Sequence, residues 1–423
     1  MALGNQRLLA GLQAEQGVGP AGSAHGSRVA CYPRRMRRSA LLALLLALLP
    51  LRGRPAEPPP VLMISADGLA ADQFTARAMP KLWALSKEGR RGAGLPPFPA
   101  TTYNGHATLA TGCWPEHHGV VANSYRDPAT GKMIPIAHHI EDLQREPLWV
   151  AATRSGVRTA VYHWVGATGP WEGVVPWRMA SFAPGHPDAE ALAFSEAALG
   201  DGARLVMTYL SGTDGEGHVQ GPQSAGTRAK LARLDDELAP WLRRLLAAHP
   251  GLRVILTADH GMAPMRRRVH MPSLLDGIPC DLVAHGGSAY VYLRHPGDAA
   301  KALGRLRKAG LKAWTRDRVP ARHHLSGNPR VGDLVALAPE GQWLSKARSS
   351  REEAAEWHGR QGAHAYSADT RAMHAWLVVL GAGRGPLGAV PLWDLAPTVA
   401  AWLDIRWAQA PDGRPVDALL PGR

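Results

Sequence analysis

Two short clusters of metal-ligand residues stand out in this sequence of 423 residues. Asp214 and His218 are separated by one helical turn of sequence, and Asp259 and His260 are adjacent. Each pair follows an apolar run and combines a carboxylate with an imidazole, ligands that suit zinc or manganese. Each pair therefore predicts part of a divalent-metal site.

Two further residues extend the candidate set. Asp67 directly follows the apolar run at 61–66, and His364 lies far downstream. The three aspartates and three histidines are enough to hold two metal ions. A pair of metal ions is typical of enzymes that hydrolyse phosphorus esters, because the two ions hold the attacking and the departing oxygen.

The elements that must position these residues alternate along the chain. Apolar runs predict strands at 61–66, 158–164, 204–210, 253–258 and 375–381, and longer stretches predict helices at 79–91, 103–111, 226–248 and 392–403. Such alternation predicts an α/β fold with a mainly parallel central sheet and helices on both faces. Asp67, Asp214 and Asp259 each follow a predicted strand, where ligands of parallel sheets collect.

Composition predicts the domain organisation. Residues 1–35 form no periodic element, so we interpret them as a disordered or mis-started extension before Met36. Arginines precede a short apolar run at 40–51, which predicts a signal peptide over 36–56 and export to the periplasm or the extracellular space. An uncleaved anchor or a buried apolar helix is the alternative interpretation of that run.

The remainder, residues 57–423, is predicted to be one catalytic domain with a less regular insertion around 265–360. The formal net charge is +13, but residues 1–54 contribute +7 of it, and the other basic residues are scattered. This distribution argues against nucleic-acid binding and fits a small anionic substrate. No stable membrane span is expected in the mature protein. Whether Cys113 and Cys280 pair is left open.

A threonine-rich loop supplies a candidate nucleophile. Thr101 and Thr102 precede the predicted helix at 103–111. A hydroxyl at a helix N-terminus faces free N–H groups and the positive end of the helix dipole, and a bound dication favours its alkoxide. Taken alone, an N-cap threonine with no catalytic role is the simpler interpretation.

The order and spacing of these residues resemble the nucleotide pyrophosphatase/phosphodiesterase family of the alkaline phosphatase superfamily. Over most of 61–405, the resemblance is carried by Asp67, Thr102, Thr111, Gly112, Pro115, His118, Gly119, Asn123, Asp214, His218, Asp259, His260, Gly261 and His364. It implies one zinc ion on Asp214, His218 and His364. It implies a second on Asp67, Asp259 and His260, with Thr102 bridging toward it as nucleophile. Manganese or iron would suit the same donors.

The resemblance also assigns roles around Thr102. The family places an aromatic residue after its nucleophile, and Tyr103 stands there; Asn123 matches an asparagine whose amide donates to a phosphoryl oxygen. This chain has Asn104 and Gly105 where the family commonly has proline and asparagine. The helix start is therefore expected to be less rigid.

Aromatic residues bear on the substrate. Tyr103 is placed to stack on a nucleobase, and Trp164 or Trp171 would supply the opposite face; ordinary core packing is the alternative for each tryptophan. No arginine closely follows Thr102 to clamp a terminal phosphate, which favours a diester. The expectation is hydrolysis of nucleotide phosphodiester or pyrophosphate bonds through a covalent phospho-Thr102.

Three alternatives stay open. A phosphomonoesterase or phosphonoacetate-type hydrolase would share the metal ligands. A lysophospholipid or choline phosphodiesterase would share the whole site. A non-catalytic, metal-stabilised binding protein of the cell envelope would need the metals and no nucleophile.

Overall fold

A computed structural model of the chain describes residues 57–183, 185–349, 351–352 and 359–422. The predicted extension and signal peptide, residues 1–56, lie outside the described residues, so those interpretations stay predictions. From residue 57 onward the chain forms one compact unit. Within the described part, no helix is both long and apolar enough to cross a membrane.

Strands and helices alternate along the described chain. The strands are β1 (Val61–Ala66), β2 (Arg90–Leu95), β3 (Tyr125–Arg126), β4 (Met133–Ile134), β5 (Thr159–Tyr162), β6 (Arg178–Ala180), β7 (Leu205–Leu210), β8 (Arg253–Thr257), β9 (Ala263–Pro264), β10 (Arg267–His270), β11 (Cys280–Ala284), β12 (Ser288–Leu293), β13 (Lys312–Thr315), β14 (Leu334–Leu337), β15 (Gln342–Ser345), β16 (Gly362–Ala363), β17 (Ala375–Leu380) and β18 (Gly385–Pro391). The α-helices are α1 (Pro80–Ser86), α2 (Thr102–Thr111), α3 (Pro115–His118), α4 (Leu148–Arg154), α5 (Asp188–Gly200), α6 (Asp214–Gln220), α7 (Ala225–Ala248), α8 (Met271–Leu274), α9 (Ala299–Lys308) and α10 (Leu395–Leu403).

An eight-stranded mixed sheet forms the centre of the molecule, in the order β18-β2-β17-β8-β1-β7-β5-β6. β1 pairs in parallel with β7 and β8, and β17 runs antiparallel to both of its neighbours. All six residues of β1 are buried, because a central parallel strand is covered on both faces. The α/β fold with a mainly parallel sheet is therefore confirmed.

One element was predicted wrongly. The helix expected over 79–91 ends at Ser86, and Arg90–Leu95 forms strand β2 instead. β2 has no β-branched residue and no clear alternation. It is a strand because β17 and β18 pair with it on either side, so tertiary pairing overrides its weak local preference.

The stretch predicted as an insertion contains a sheet of its own. Strands β11, β12, β14 and β13 form a four-stranded antiparallel sheet, in that order. Before the chain re-enters the central sheet at β17, β16 forms a two-stranded sheet with β9 in which Ala363 lies opposite Ala263. This pairing places the residue after β16, His364, beside the segment that follows β8.

Candidate metal centre and active site

Three adjacent parallel strands deliver the three aspartates. Asp67 directly follows β1, Asp214 begins α6 just after β7, and Asp259 follows β8 by one residue. Because the carboxyl ends of neighbouring parallel strands meet at one edge, these side chains converge. His260 comes with Asp259, and one turn of α6 places His218 on the same face as Asp214.

The side-chain atoms of these residues lie close together. His260 Nε2 is 3.1 Å from Asp259 Oδ2 and 3.8 Å from Asp67 Oδ1. On the other side, the Nε2 atoms of His218 and His364 lie 3.4 Å and 3.7 Å from Asp214 Oδ1. Two groups of three have all their ligand atoms within 4.8 Å of one another: Asp67, Asp259 and His260, and Asp214, His260 and His364.

The grouping differs in one respect from the division that the resemblance implies. His260 lies in both compact groups, and its ring stacks on that of His364 at a centroid distance of 4.0 Å. His218 is placed next to Asp214, with its ring 4.9 Å from the His364 ring. The predicted ligands therefore come together in one cluster, with His260 at its middle.

The three imidazoles are oriented alike. The backbone carbonyls that face their Nδ1 atoms are Gly362 for His218 at 3.0 Å, Gly261 for His260 at 2.9 Å and Ala100 for His364 at 3.0 Å. An Nδ1–H that donates to each carbonyl leaves the Nε2 lone pair directed at the carboxylates. Because the Nε2 lone pairs and the carboxylate oxygens are both electron-rich, a cation between them would stabilise this arrangement.

The carboxylates give the same indication. Asp67 Oδ1, Asp214 Oδ1 and Asp259 Oδ2 are buried, and no donor in the described chain hydrogen-bonds to them. Burial, reinforced by the neighbouring carboxylates of Asp259 and Asp214, raises the pKa of Asp67 well above its ordinary value. A divalent cation would satisfy these oxygens and offset the crowded negative charge. The residues present fit a pair of divalent cations.

Protein groups hold the remaining carboxylate oxygens. The Tyr209 hydroxyl donates to Asp67 Oδ2 at 2.8 Å, and the Gly68 N–H donates to Asp259 Oδ1 at 3.2 Å. Gly68 has a φ of +68°, and a Cβ there would lie 2.9 Å from the Asp214 backbone. The turn after β1 therefore requires glycine to bring its aspartate this close to Asp214.

Thr102 is the first residue of α2, and its Oγ1 lies 3.3 Å from His260 Nε2. Its neighbour Thr101 is fully buried, and its hydroxyl has no hydrogen-bond partner in the described chain. Of the two candidate nucleophiles, Thr102 faces the cluster. The Thr102 N–H at the start of this helix has no hydrogen-bond partner in the described chain.

Asn123 lies next to the start of α2. Its Oδ1 accepts a hydrogen bond from the Tyr103 N–H at 2.9 Å. That bond fixes the amide, so its nitrogen points away from Tyr103 and keeps its donors for another acceptor. The arrangement is compatible with the role that the resemblance implies.

The unusual residues in the first turn of α2 pack tightly. Asn104 is buried, and its Nδ2 donates to the Pro99 carbonyl at 2.8 Å. A Cβ on Gly105 would lie only 2.7 Å from the Asp259 carbonyl oxygen. These contacts tie down a helix start that the replacement of proline was expected to loosen, and they seat α2 directly against a metal-ligand residue.

Two supporting residues were not predicted. His106 is fully buried, its Nδ1 donates to the Thr102 carbonyl at 2.8 Å, and its Nε2 accepts from the Ser65 hydroxyl at 2.9 Å. Its ring also lies 3.6 Å from Asp259 Oδ2, and burial lowers its pKa. Tyr209 was missed because a tyrosine in a strand resembles ordinary core. For His106 the sequence does carry a signal: it lies four residues after Thr102 on a predicted helix, and therefore on the same face.

The aromatic predictions have different outcomes. Tyr103 is half-buried beside Phe182 and His138, with ring centroids 6.2 Å and 5.8 Å away. Trp164 is 0% exposed, and its Nε1 donates to the His106 carbonyl at 3.3 Å. A residue with no exposed surface cannot stack on a substrate, so the substrate-binding role suggested for Trp164 is corrected to core packing. Phe182 stands in its place beside Tyr103.

The sheet and the cluster at its carboxyl edge define an alkaline-phosphatase-like fold with a metal-ligand centre. The type I phosphodiesterase / nucleotide pyrophosphatase family matches residues 61–367. The chain belongs to this family, and the resemblance seen in the sequence is confirmed.

Individual relatives agree with this assignment. The chain is 26% identical over 357 residues to an uncharacterized pyrophosphatase/phosphodiesterase of Schizosaccharomyces pombe, covering 76% of this chain and 71% of the relative. It is 24% identical over 329 residues to human ectonucleotide pyrophosphatase/phosphodiesterase family member 1, covering 72% of this chain and 36% of that protein. The match thus spans little more than a third of the human relative.

The fold is shared with solved structures. Murine ectonucleotide pyrophosphatase/phosphodiesterase 5 has a TM-score of 0.76 to this protein at 24% identity, covering 84% of this chain and 97% of that chain. Likeness at this level of identity establishes the architecture.

Proposed function

We propose that this protein is a two-metal hydrolase that cleaves phosphodiester or pyrophosphate bonds, with nucleotides as the substrate class. The observation that carries the proposal is the position of Thr102 Oγ1, 3.3 Å from His260 Nε2, at the edge of a cluster with three unpartnered carboxylate oxygens. The hydroxyl of the proposed nucleophile therefore lies next to the proposed cation sites. Membership of the family supports the same reaction class.

Two zinc ions are the proposed cofactors, and manganese or iron would suit the same donors. Asp67, Asp259 and His260 would hold one ion, and Asp214 and the other two histidines of the cluster the second. When bound, the ions supply Lewis acidity that favours the threonine alkoxide and stabilises the departing oxygen.

The protein side chains account for the rest of the reaction. Thr102 Oγ1 loses its proton to solvent and forms a bond to phosphorus as the bond from phosphorus to the leaving oxygen breaks. The leaving oxygen takes up a proton from solvent, and the resulting phospho-Thr102 still carries the other substituent of the substrate. The Asn123 amide and the Thr102 N–H donate to the non-bridging oxygens, where charge spreads in the transition state. Water then cleaves phospho-Thr102 and restores the hydroxyl.

The aromatic pair favours a nucleotide. Tyr103 and Phe182 are half-buried rings at the start of α2 and beyond β6, and they meet edge to face. Stacking of a base on one aromatic ring contributes about 1–3 kcal/mol. The names of the relatives, ectonucleotide pyrophosphatase/phosphodiesterase among them, point to the same substrate class.

A substrate panel tests the proposal on purified protein with its metal content measured. Bis-p-nitrophenyl phosphate should turn over much faster than p-nitrophenyl phosphate, and dinucleoside polyphosphates or nucleoside triphosphates faster than lysophosphatidylcholine. Preference for the monoester would instead support a phosphomonoesterase, and release of the headgroup from the lipid would support a lysophospholipid or choline phosphodiesterase. Two bound metals per chain without turnover of any ester would make the protein a binding protein.

The organisation of the whole chain is part of the proposal. Residues 36–56 are proposed to direct export to the periplasm or the extracellular space, and 57–423 to be the catalytic domain, with an insertion around 265–360. The apolar run at 40–51 behind a basic segment supports export. N-terminal sequencing of the protein recovered from outside the cytoplasm tests it, and an N-terminus upstream of residue 36 would contradict it.

A further inference from the structure

A row of arginines lies along the edge of the central sheet that is opposite the metal cluster. Parallel strands begin at this edge, and most of them begin with an arginine or directly after one. In spatial order these are Arg90 at β2, Arg253 at β8, Arg204 before β7, Arg158 before β5 and Arg178 at β6. From β2 to β6 the row crosses six strand spacings, about 29 Å.

Most of this charge is not neutralised by the protein. Arg178 pairs with Asp201 at 2.7 Å, and Arg204 reaches Glu57 only at 4.0 Å. Arg90, Arg158 and Arg253 have no carboxylate partner within the described chain. Their guanidinium groups contact a backbone carbonyl, that of Ala382, or aromatic rings, those of Trp177 and Trp402. The edge therefore presents a net positive surface.

One end of the row contains a cavity suited to an anion. Arg90 and Arg253 line a cavity of about 270 Å³ together with backbone at 381–383 and the segment 418–422. None of its lining residues is acidic. Two guanidinium groups facing a space of this size provide paired donors for a phosphate group.

The other end of the row carries exposed apolar residues. Trp177 is 40% exposed and Val175 is 49% exposed. Two guanidinium groups contact the Trp177 ring, with Arg158 Cζ at 3.7 Å and Arg178 Cζ at 4.4 Å from its centroid. A tryptophan flanked by arginines is suited to the boundary between lipid headgroups and acyl chains.

The chain enters the domain at the same edge. The Val61 N–H donates to the Arg204 carbonyl, and the Arg253 N–H donates to the Pro60 carbonyl. The N-terminal end of the domain therefore lies beside Arg204 and Arg253 of the row.

We propose that this edge, with its arginine row, docks on a membrane surface rich in anionic phospholipids, with a phosphate headgroup seated between Arg90 and Arg253. Docking in this orientation turns the metal cluster away from the lipid, so that the active site faces soluble substrate. The proposal is independent of the reaction that the metal cluster performs.

Vesicle sedimentation of the full chain tests this docking. We expect binding to vesicles of phosphatidylcholine mixed with phosphatidylglycerol to exceed binding to phosphatidylcholine alone, and the excess to fall with added salt. In the double variant Arg158→Gln/Arg253→Gln, the affinity for the anionic vesicles should fall about 25-fold, on the order of fivefold for each arginine. The matched pair Arg318→Gln/Arg322→Gln, exposed on the insertion, should bind like the wild type.

Thermal unfolding of each variant shows whether it is folded, whatever its catalytic activity. Equal binding to neutral and anionic vesicles would overturn the proposal, as would an equal loss in the matched pair. A DNA oligonucleotide that competes as well as the anionic vesicles, with the same dependence on Arg158 and Arg253, would show a nucleic-acid surface and equally overturn it.

Discussion

Two adjacent threonines show how environment rather than residue type selects a nucleophile. Thr101 and Thr102 carry the same hydroxyl, but Thr101 is the fully buried N-cap of α2 and Thr102 is turned toward His260. Only the second lies where a cation can bind its oxygen. The sequence placed both at a helix start and could not separate them without the family pattern.

We expect Thr102→Ala to reduce hydrolysis of bis-p-nitrophenyl phosphate by about three orders of magnitude or more, because the bond-forming oxygen is removed. Metal content, measured by elemental analysis, should stay close to that of the wild type, since the six Asp and His ligands remain. The control is Thr101→Ala, which should retain most activity. The reverse result for the two variants would assign the nucleophile to Thr101.

The sequence identified the metal ligands because their chemistry is unusual for their positions. Asp67 and Asp259 are carboxylates that directly follow apolar strands, where a burial cost demands a reason. Tyr209 carries no such signal, since a tyrosine within an apolar strand is ordinary. Its hydroxyl acquires a role only when β7 is paired with β1 and Asp67 comes within 2.8 Å. The substrate-binding role predicted for Trp164 was wrong, because a tryptophan that follows a strand is more often part of the core.

At the scale of elements, long apolar runs were predictable and short paired ones were not. The strands at 61–66, 204–210 and 253–258 were found to within a residue, since central parallel strands are apolar throughout. β2 is glycine-rich, and its pairing with β17 depends on residues almost three hundred positions away. Local sequence carries no information about such a partner.

The contact between α2 and the loop after β8 gives an element-scale prediction. Gly105→Ala places a methyl group 2.7 Å from the Asp259 carbonyl oxygen, so α2 or the loop must move. We expect metal affinity and turnover to fall about 10–100-fold, as they do when the support of a metal ligand is disturbed. Metal titration with an indicator dye and initial rates measure both.

A matched control is available in α9. Gly304 is also helical, and a Cβ there meets nothing within 4 Å. Gly304→Ala should leave activity unchanged and raise the free energy of unfolding by about 0.4–1 kcal/mol. If Gly105→Ala behaved like Gly304→Ala, the close packing of α2 on Asp259 would have no functional importance.

At the scale of the whole molecule, the central sheet separates two surfaces of opposite charge. Its carboxyl edge gathers carboxylates that require cations, and its other edge gathers arginines that require anions. A strand of six residues keeps the two about 17–20 Å apart. Substrate binding and surface docking can therefore occur together without competing for one face.

Buried neutral histidines predict sensitivity of the fold to acid. Burial lowers the pKa of His118 and of His285 to about 3. The unfolded chain binds their protons below about pH 6.5, so their contribution to stability is complete above that pH and is lost as pH falls toward 3. At pH 5 each should cost about 2 kcal/mol relative to neutral pH.

Denaturant unfolding at pH 7 and pH 5 measures this loss. His118 is the last residue of α3 and packs against α2, where its Nε2 donates to the Thr108 hydroxyl at 3.0 Å. His118→Asn should be less stable than the wild type at pH 7 but lose less stability between the two pH values. An unchanged pH dependence in that variant would show that His118 is not one of the groups responsible.

Metal removal should reverse the effect of a substitution in the cluster. In the metal-free protein, Asp67 is buried against two other carboxylates, which is why its pKa is raised well above the ordinary value. That raised pKa means that its charge destabilises the metal-free fold at neutral pH, whereas bound cations stabilise the fold by about 4 kcal/mol per site at a thousandfold excess over Kd. We expect EDTA to lower the unfolding midpoint of the wild type by several degrees.

Asp67→Asn removes one of the three charges and one ligand while the Tyr209 hydroxyl keeps an acceptor. With saturating zinc, the variant should therefore unfold at a lower temperature than the wild type, because it binds metal less tightly. With EDTA the order should invert, because the variant lacks the uncompensated charge. Calorimetry of both proteins in both conditions at pH 7 measures the inversion, and a variant that is less stable in both would show that the Asp67 charge does not destabilise the metal-free fold.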